Sequence, residues 1–238
     1  MISSRTPDSL GQPKLARIRQ RRRLGDEVAQ QVRDAIMSGT YVAGEKLVVE
    51  DLASQLGVST MPVREALVAL AHEGVLQVSP RRGFGVARLG KQDIEDIFRV
   101  QAFLAGILAE RASQTIDEKG LRRLQRIQEK VERAAANGDT GASSAQIEDL
   151  NYEFHYSLNH VVDAPRLRWF LRVATQYVPR HVYETIPTWT RLTVVDHPQI
   201  IEALESRDPT AARRRAETHV MRAGMQVVEN LEARGFWV

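Results

Sequence analysis

Apolar positions keep a helical period along most of this chain, and the one place where they switch to alternation is the most informative. From Thr60 to Glu73, the residues Val63, Ala66, Leu67, Leu70 and Ala71 fall at i, i+3, i+4, i+7 and i+8, one inward face of a helix. Ser59 stands at the N-cap position, Pro62 is tolerated in the first turn, and Gly74 can take the left-handed conformation that ends the helix. A shorter helix, Val49 to Leu56, is predicted to bury Leu52 and Leu56 and to stop at Gly57, where a sharp turn needs positive φ. After Gly74 the period falls to two. Leu76 and Val78 alternate with Gln77 and Ser79, then Phe84 and Val86 with Gly85 and Ala87, around the turn Ser79-Pro80-Arg81-Arg82-Gly83. Two helices joined by a tight turn, then a two-stranded wing, predict a winged helix-turn-helix whose second helix enters a major groove by its N-terminal end. A helix from about Asp26 to Met37 should pack Val28, Val32 and Ile36 beneath it.

From Lys91 onward the period is helical to the end, with helices expected at 92–113, 117–136, 144–162, 165–186, 197–206 and 209–234. Gly138 to Gly141 and Pro187 are breaks, and Asp208-Pro209 is a cap followed by proline at the first helical position. The expected fold is therefore mainly α: a winged helix-turn-helix with a small β-hairpin wing over 24–90, then an all-α bundle of about six helices over 91–238.

Composition adds the partner of the first domain. The positive excess of this 238-residue chain lies in its N-terminal part, and residues 1–23 read as a flexible basic arm ending in Arg17, Arg19, Arg21, Arg22 and Arg23. Such an arm suits phosphate or minor-groove contact, or is a solvated tail. The wing tip adds Arg81 and Arg82, which can reach phosphates or a narrow minor groove, while Gly83 lets the backbone approach closely. An apolar content of 43% is ordinary for a globular protein, and no run approaches a membrane span or a signal-peptide core. The absence of cysteine excludes disulfides and thiolate metal sites, in keeping with an expected cytoplasmic location.

The chemistry of the helical domain lies in its histidines. Beside the inward stripe Ile147, Leu150, Phe154 and Leu158, Asn151 and His155 sit at i and i+4 and project to one side. His197 precedes Ile200 and Ile201, and His219 lies among Ala216, Val220 and Ala223 on the last apolar stripe, so three imidazoles point into one core. Buried imidazoles converging without acids are satisfied more readily by a cation than by each other. Three imidazoles and an amide oxygen suit a divalent ion, zinc or nickel, with positions left open for water or a ligand. His160 falls off the stripe and His72 lies on the outer face of its helix, so both read as surface residues. The run Arg213, Arg214 and Arg215 reads as a solvated face.

The run Gly44, Lys46, Leu47, Leu52, Ala53, Leu56, Gly57, Val58, Ser59, Pro62, Val63, Arg64, Glu65, Ala66, Leu67, Leu70, Glu73, Gly74, Arg81, Arg82, Gly83 resembles the winged-helix domain of GntR-type transcriptional regulators. The resemblance implies that Ser59, Thr60, Met61 and Arg64 face DNA from the recognition helix, with Arg81, Arg82 and Gly83 in the wing. Where the family commonly has Ser-Arg-Thr-Pro, this chain reads Ser59-Thr60-Met61-Pro62, which removes one bidentate guanine reader. Asn151-Tyr152-Glu153-Phe154-His155, Asp196-His197 and Glu217-Thr218-His219 resemble the metal-ligand positions of the all-α effector domain of the FadR branch of that family. That resemblance implies Asn151, His155, His197 and His219 as ligands and a small carboxylate effector on the open positions. The branch often carries an arginine in its first effector-domain helix where this chain has Gln101, so Arg180, or Gln101 by hydrogen bonding, is expected to meet the effector. Tyr177 and His181 lie on the same predicted inward face and complete the expected pocket.

The reading that combines these features is a homodimeric regulator, expected to be a repressor, whose two winged helices read a pseudo-palindromic double-stranded operator and whose effector domain answers to a small organic acid. Two alternatives stay open at this point. One is a metal-dependent hydrolase, since three histidines with an open position can activate water. The other is a DNA-binding protein with a purely structural ion and no effector.

Overall fold

The computed structural model describes residues 22–79, 83–136, 141–186 and 188–237. Helix α1 (Arg22–Met37) supports α2 (Val49–Leu56) and the recognition helix α3 (Thr60–His72). Val28, Val32, Ile36, Leu52, Val63, Leu67 and Leu70 form one buried apolar cluster with Leu76 and Val86. Gly57 turns the chain with φ 65° and Gly74 ends α3 with φ 79°, the two positive-φ positions the pattern required. Ser59 has the extended backbone of an N-cap, but its hydroxyl makes no capping bond.

Several elements differ from the sequence expectation. Helix α1 begins at Arg22 rather than near Asp26, so Arg22 and Arg23 belong to the helix and not to the arm; Gly25, inside this first turn, costs the helix only about 1 kcal/mol and does not stop it. The arm itself, residues 1–21, lies outside the described residues. The wing is a three-stranded antiparallel sheet, not a two-stranded one. Strand β1 (Lys46–Leu47) pairs with β3 (Gly83–Val86), which pairs with β2 (Leu76–Ser79). Val78, expected inward, is 62% exposed, because β2 runs out past the helices beneath it.

The second domain comprises α4 (Lys91–Thr115), α5 (Glu118–Ala136), α6 (Gly141–Asn159), α7 (Pro165–Thr175), α8 (Arg180–Glu184), α9 (Trp189–Glu205) and α10 (Pro209–Ala233), so seven helices are present among the described residues where six were expected. The predicted helix 165–186 is two helices, because Pro179 lacks an N–H and holds Val178 out of helical geometry. Helix α9 begins eight residues earlier than expected and runs through Pro198. Burial of Trp189, Leu192, Ile200 and Leu204 along one face outweighs the backbone bond that Pro198 cannot make. The long helices α4 and α10 pack closely at Gly224, where an added Cβ would stand 2.5 Å from Phe98 Cγ. Asp208 caps α10 through a 2.9 Å bond from the Ala211 amide, as its Asp-Pro start requires.

Met37 of α1 joins the effector-domain cluster of Ile94, Phe98, Val178, Val182 and Val227. The two domains therefore share apolar contact as well as hydrogen bonds.

Candidate metal centre and nucleic-acid face

The DNA-facing end is built from the outside of α3. Ser59, Thr60, Met61 and Arg64 are all exposed at its N-terminal end, and Arg64 makes no ion pair among the described residues. The uncapped Ser59 hydroxyl and the free Arg64 guanidinium are donors aimed outward, as groove and phosphate contact require. Gly83 opens β3 with φ 75°. Arg81 and Arg82 lie outside the described residues.

In the second domain α6, α9 and α10 bring His155, His197 and His219 together, with one donor atom from each lying within 4.8 Å of the others. His155 Nε2 and His219 Nε2 are 3.1 Å apart. That is the separation of two neighbouring donors on one ion at metal–nitrogen lengths of about 2.1 Å. The His197 ring stacks on Phe154 with centroids 3.9 Å apart, and neither of its nitrogens has a partner. Asn151 Oδ1, one turn before His155 on α6, is also buried and unpartnered. Native interiors leave few polar atoms unpaired, so the unpartnered His197 nitrogens and Asn151 Oδ1 beside three grouped histidines fit a cation.

Electrostatics favour the same use. Burial, together with the neighbouring His219, pushes His155 down to about 3, and burial with His219 and His155 holds His197 well below the ordinary range. Both rings are thus neutral lone-pair donors at physiological pH. Asp196 Oδ2 lies 3.4 Å from His219 Nδ1, and Arg222 donates to Asp196 Oδ1 at 2.8 Å. Burial acts against ionisation of Asp196, but the His219 ring and the Arg222 guanidinium hold its carboxyl below the ordinary range. The carboxylate stands at the Nδ1 edge of His219, whose Nε2 faces His155.

A second buried carboxylate stands behind Asn151. Glu148 accepts from Asn151 Nδ2 at 3.2 Å, from Trp189 Nε1 at 3.1 Å and from Arg180 Nε at 3.2 Å. Burial pushes its carboxyl up to about 7, against the pull of Arg180. Glu148 and Trp189 were not recognised from the sequence. The i, i+3 spacing to Asn151 was the available signal for the first, and the late start assigned to α9 hid the second.

The residues expected to form an effector pocket are not brought together around one space. Gln101 is buried and donates to the Ala174 carbonyl at 3.1 Å, joining α4 to the end of α7. Tyr177 donates its hydroxyl to the Glu73 carbonyl at the end of the recognition helix, and lines a cavity of about 730 Å³ between the domains with Ile97, Val100, Phe170 and Val173. Arg180 is engaged by Glu148 and, at 2.8 Å, by Asp149. The His181 side chain lies outside the described residues. His160 and His72 are exposed, as expected. Arg213 is not merely solvated, since it pairs with Glu217 at 2.8 Å and Glu110 at 3.1 Å and lies over the Phe103 ring. Glu153 pairs with Arg123, so Glu153 and Glu217, each two residues before a site histidine, are both engaged elsewhere.

A winged helix-turn-helix joined to an all-helical domain with a histidine-lined interior defines a bacterial transcription regulator with a sensing domain. The chain belongs to the GntR family: the model for bacterial regulatory proteins of the gntR family matches residues 24–86, and that of the FCD domain, the effector-binding domain of FadR-like members, matches residues 96–222. It is 29% identical over 202 residues to the uncharacterized HTH-type transcriptional regulator YdhC of Bacillus subtilis, covering 79% of this chain and 84% of that one. It is 28% identical over 193 residues to the HTH-type transcriptional regulator McbR of Escherichia coli, covering 79% and 85%. The solved structure of E. coli McbR/YncC superposes with a TM-score of 0.65 at 25% identity, over 88% of this chain and 98% of that one. These relatives are transcription regulators, not enzymes, which removes the hydrolase alternative. FCD domains commonly bind metal, and the three histidines lie within the matched segment. No helix among the described residues is long and apolar enough to cross a membrane.

Proposed function

We propose that this protein is a homodimeric repressor released from a pseudo-palindromic operator by a small carboxylate bound at a metal-centred site. The observation that carries the reading is a set of buried donors: both nitrogens of His197 and Asn151 Oδ1, which have no partner, beside the Nε2 atoms of His155 and His219, which face each other. These residues would hold zinc or nickel, and the ion when bound supplies a Lewis-acidic anchor for an oxygen ligand.

The effector class follows from charge. Three neutral imidazoles and an amide leave a divalent ion uncompensated in a buried site, while Asp196 is already engaged by Arg222. An anionic oxygen ligand is therefore favoured over a neutral one.

The link to the reader lies in residues 174–180. Ala174 accepts from Gln101, Tyr177 donates to Glu73 at the end of α3, and Arg180 pairs with Glu148, three residues before Asn151. A ligand that moves α6 shifts this segment, and with it the tilt of the recognition helix. Dimer formation is supported by the apolar side chains Val100 and Phe103 of α4 and Trp169 and Phe170 of α7, all about half exposed on packed helices.

The test is a melting-temperature screen of small organic acids with and without zinc or nickel, followed by operator binding with DNA selected from a random pool. Stabilisation that needs both metal and acid, with loss of DNA binding on adding the same acid, is expected. A flat response to acids in the metal-loaded protein overturns the sensor reading.

A further inference from the structure

We infer that Glu148 is a positioning residue of the metal centre, which locks the Asn151 amide with its oxygen toward the histidines. The inference rests on the metal reading above. An amide can present either end to an ion, and only the oxygen end is a useful ligand. Glu148 removes the choice. Its Oε2 accepts from Asn151 Nδ2 at 3.2 Å, and a flipped amide would set two acceptor oxygens against each other in a buried site. The same oxygen accepts from Trp189 Nε1, and Oε1 accepts from Arg180 Nε. Every partner of this side chain is a donor, so the geometry is built around a carboxylate acceptor that no rotation of Asn151 can satisfy otherwise. Asn151 Oδ1 is left buried with no partner of its own, one turn from His155 on the same face of α6.

Asp196 does for His219 what Glu148 does for Asn151. Each buried carboxylate faces the far side of one candidate ligand and is itself held by an arginine, Arg222 in one case and Arg180 in the other. Outer partners of this kind orient metal ligands and raise their donor strength.

A reversal of sign tests the idea. In Glu148→Gln the new amide nitrogen meets a donor whichever way it turns, so Asn151 is released to flip, and zinc affinity should fall on the order of 10- to 100-fold. In Asn151→Asp the ligand carries its own charge and faces Glu148 as a second carboxylate, so adding Glu148→Gln there should raise zinc affinity, because the glutamine then donates to the aspartate. Affinity is read at about pH 8 by zinc titration against a competing chelator, with Trp189 emission followed alongside. Circular dichroism confirms that each variant is folded. A Glu148→Gln effect that is absent, or that has the same sign beside Asn151 and beside Asp at that position, overturns the inference and leaves the metal reading standing. Failure of the unaltered protein to take up zinc or nickel overturns both.

Discussion

The two interiors of this protein are assembled by different rules. The winged domain buries Val28, Val32, Leu52, Val63, Leu67 and Leu70, and the one deeply buried charge among its described residues, Arg33, is paired with Glu73. The helical domain buries Gln101, Gln128, Glu148, Asn151, Asp196, His197 and His219 among its aliphatic residues. A core that is nearly all apolar serves as a rigid frame and keeps its chemistry on the surface, here at Ser59, Thr60, Met61 and Arg64. A core that retains unsatisfied polar atoms accepts a cost in stability that a bound ion can offset.

Truncating one residue of each interior exposes the contrast most strongly. Leu67 is fully buried, so Leu67→Ala should cost about 2–5 kcal/mol and unfold the reader first in a urea titration. His197 is equally buried but has two unpartnered nitrogens, so His197→Leu in metal-free protein should be neutral or stabilising by roughly 1 kcal/mol. A destabilisation of both variants to the same extent would show that the His197 nitrogens are satisfied without an ion.

Metal removal should come next in size. At roughly a thousandfold excess over its Kd, a site ligand stabilises the folded state by about 4 kcal/mol, so chelation should lower the melting temperature of the helical domain and leave the winged domain unchanged. The chelated protein should also become acid-sensitive. His155 and His197 titrate below their ordinary 6.5 when folded, His155 at about 3, so the unfolded chain binds more protons through that interval and stability falls as pH drops below 6.5. Glu148, raised from 4.5 to about 7, acts with the opposite sign between those values. The loss should therefore steepen below pH 4.5, where the opposing Glu148 contribution is exhausted and the carboxyl of Asp196, held below its ordinary 3.8, adds to the histidine contribution. Equilibrium unfolding of chelated protein across this range measures the slope directly.

The contrast also accounts for what could be read before the structure was known. The reader was visible nearly residue by residue, because a local period, a cap position and two glycines determine α2 and α3. What escaped was nonlocal: β1 is two residues whose existence depends on pairing with β3, nearly forty positions away. In the helical domain the three converging histidines were visible from their stripes, since each apolar face must point to the common core. Glu148 and Asp196 were harder to place, because a buried carboxylate is defined by donors from other helices, Trp189 and Arg180 for one and Arg222 for the other. Tyr177 illustrates the same limit. Its position predicted a wall of the metal-centred pocket; it lines the cavity between the domains, and its hydroxyl reaches Glu73, over a hundred positions back.

On the DNA side the effects are smaller and confined to the surface. Arg64→Ala removes an exposed guanidinium that holds no ion pair among the described residues, so folding should be unaffected while operator affinity drops by roughly 1–3 kcal/mol per half-site. Fluorescence anisotropy on specific and scrambled duplexes separates the loss of base reading from the loss of phosphate attraction. A uniform loss on both duplexes would mean that Arg64 contacts only the backbone.

Tyr177→Phe should change stability and DNA affinity little, and it has the sharpest bearing on how the two interiors communicate. The substitution deletes one hydroxyl and keeps the ring that packs beneath the winged-domain cluster. Its stability cost should be about 0.5–1.5 kcal/mol, the ordinary worth of one hydrogen bond. The Glu73 side chain keeps its pairing with Arg33, so α3 retains its seat on α1 and intrinsic DNA affinity should hardly change. The candidate metal ligands lie on α6, α9 and α10, so zinc affinity should not change either. What should weaken is the coupling, read as the ratio of operator affinities with and without the carboxylate effector at saturating metal. Binding linkage is reciprocal, so the same fraction of coupling must disappear from the effect of DNA on effector affinity. If the ratio survives in Tyr177→Phe, the signal crosses instead through the shared apolar contact of Met37 with Ile94 and Phe98, and Met37→Ala becomes the variant that separates the domains.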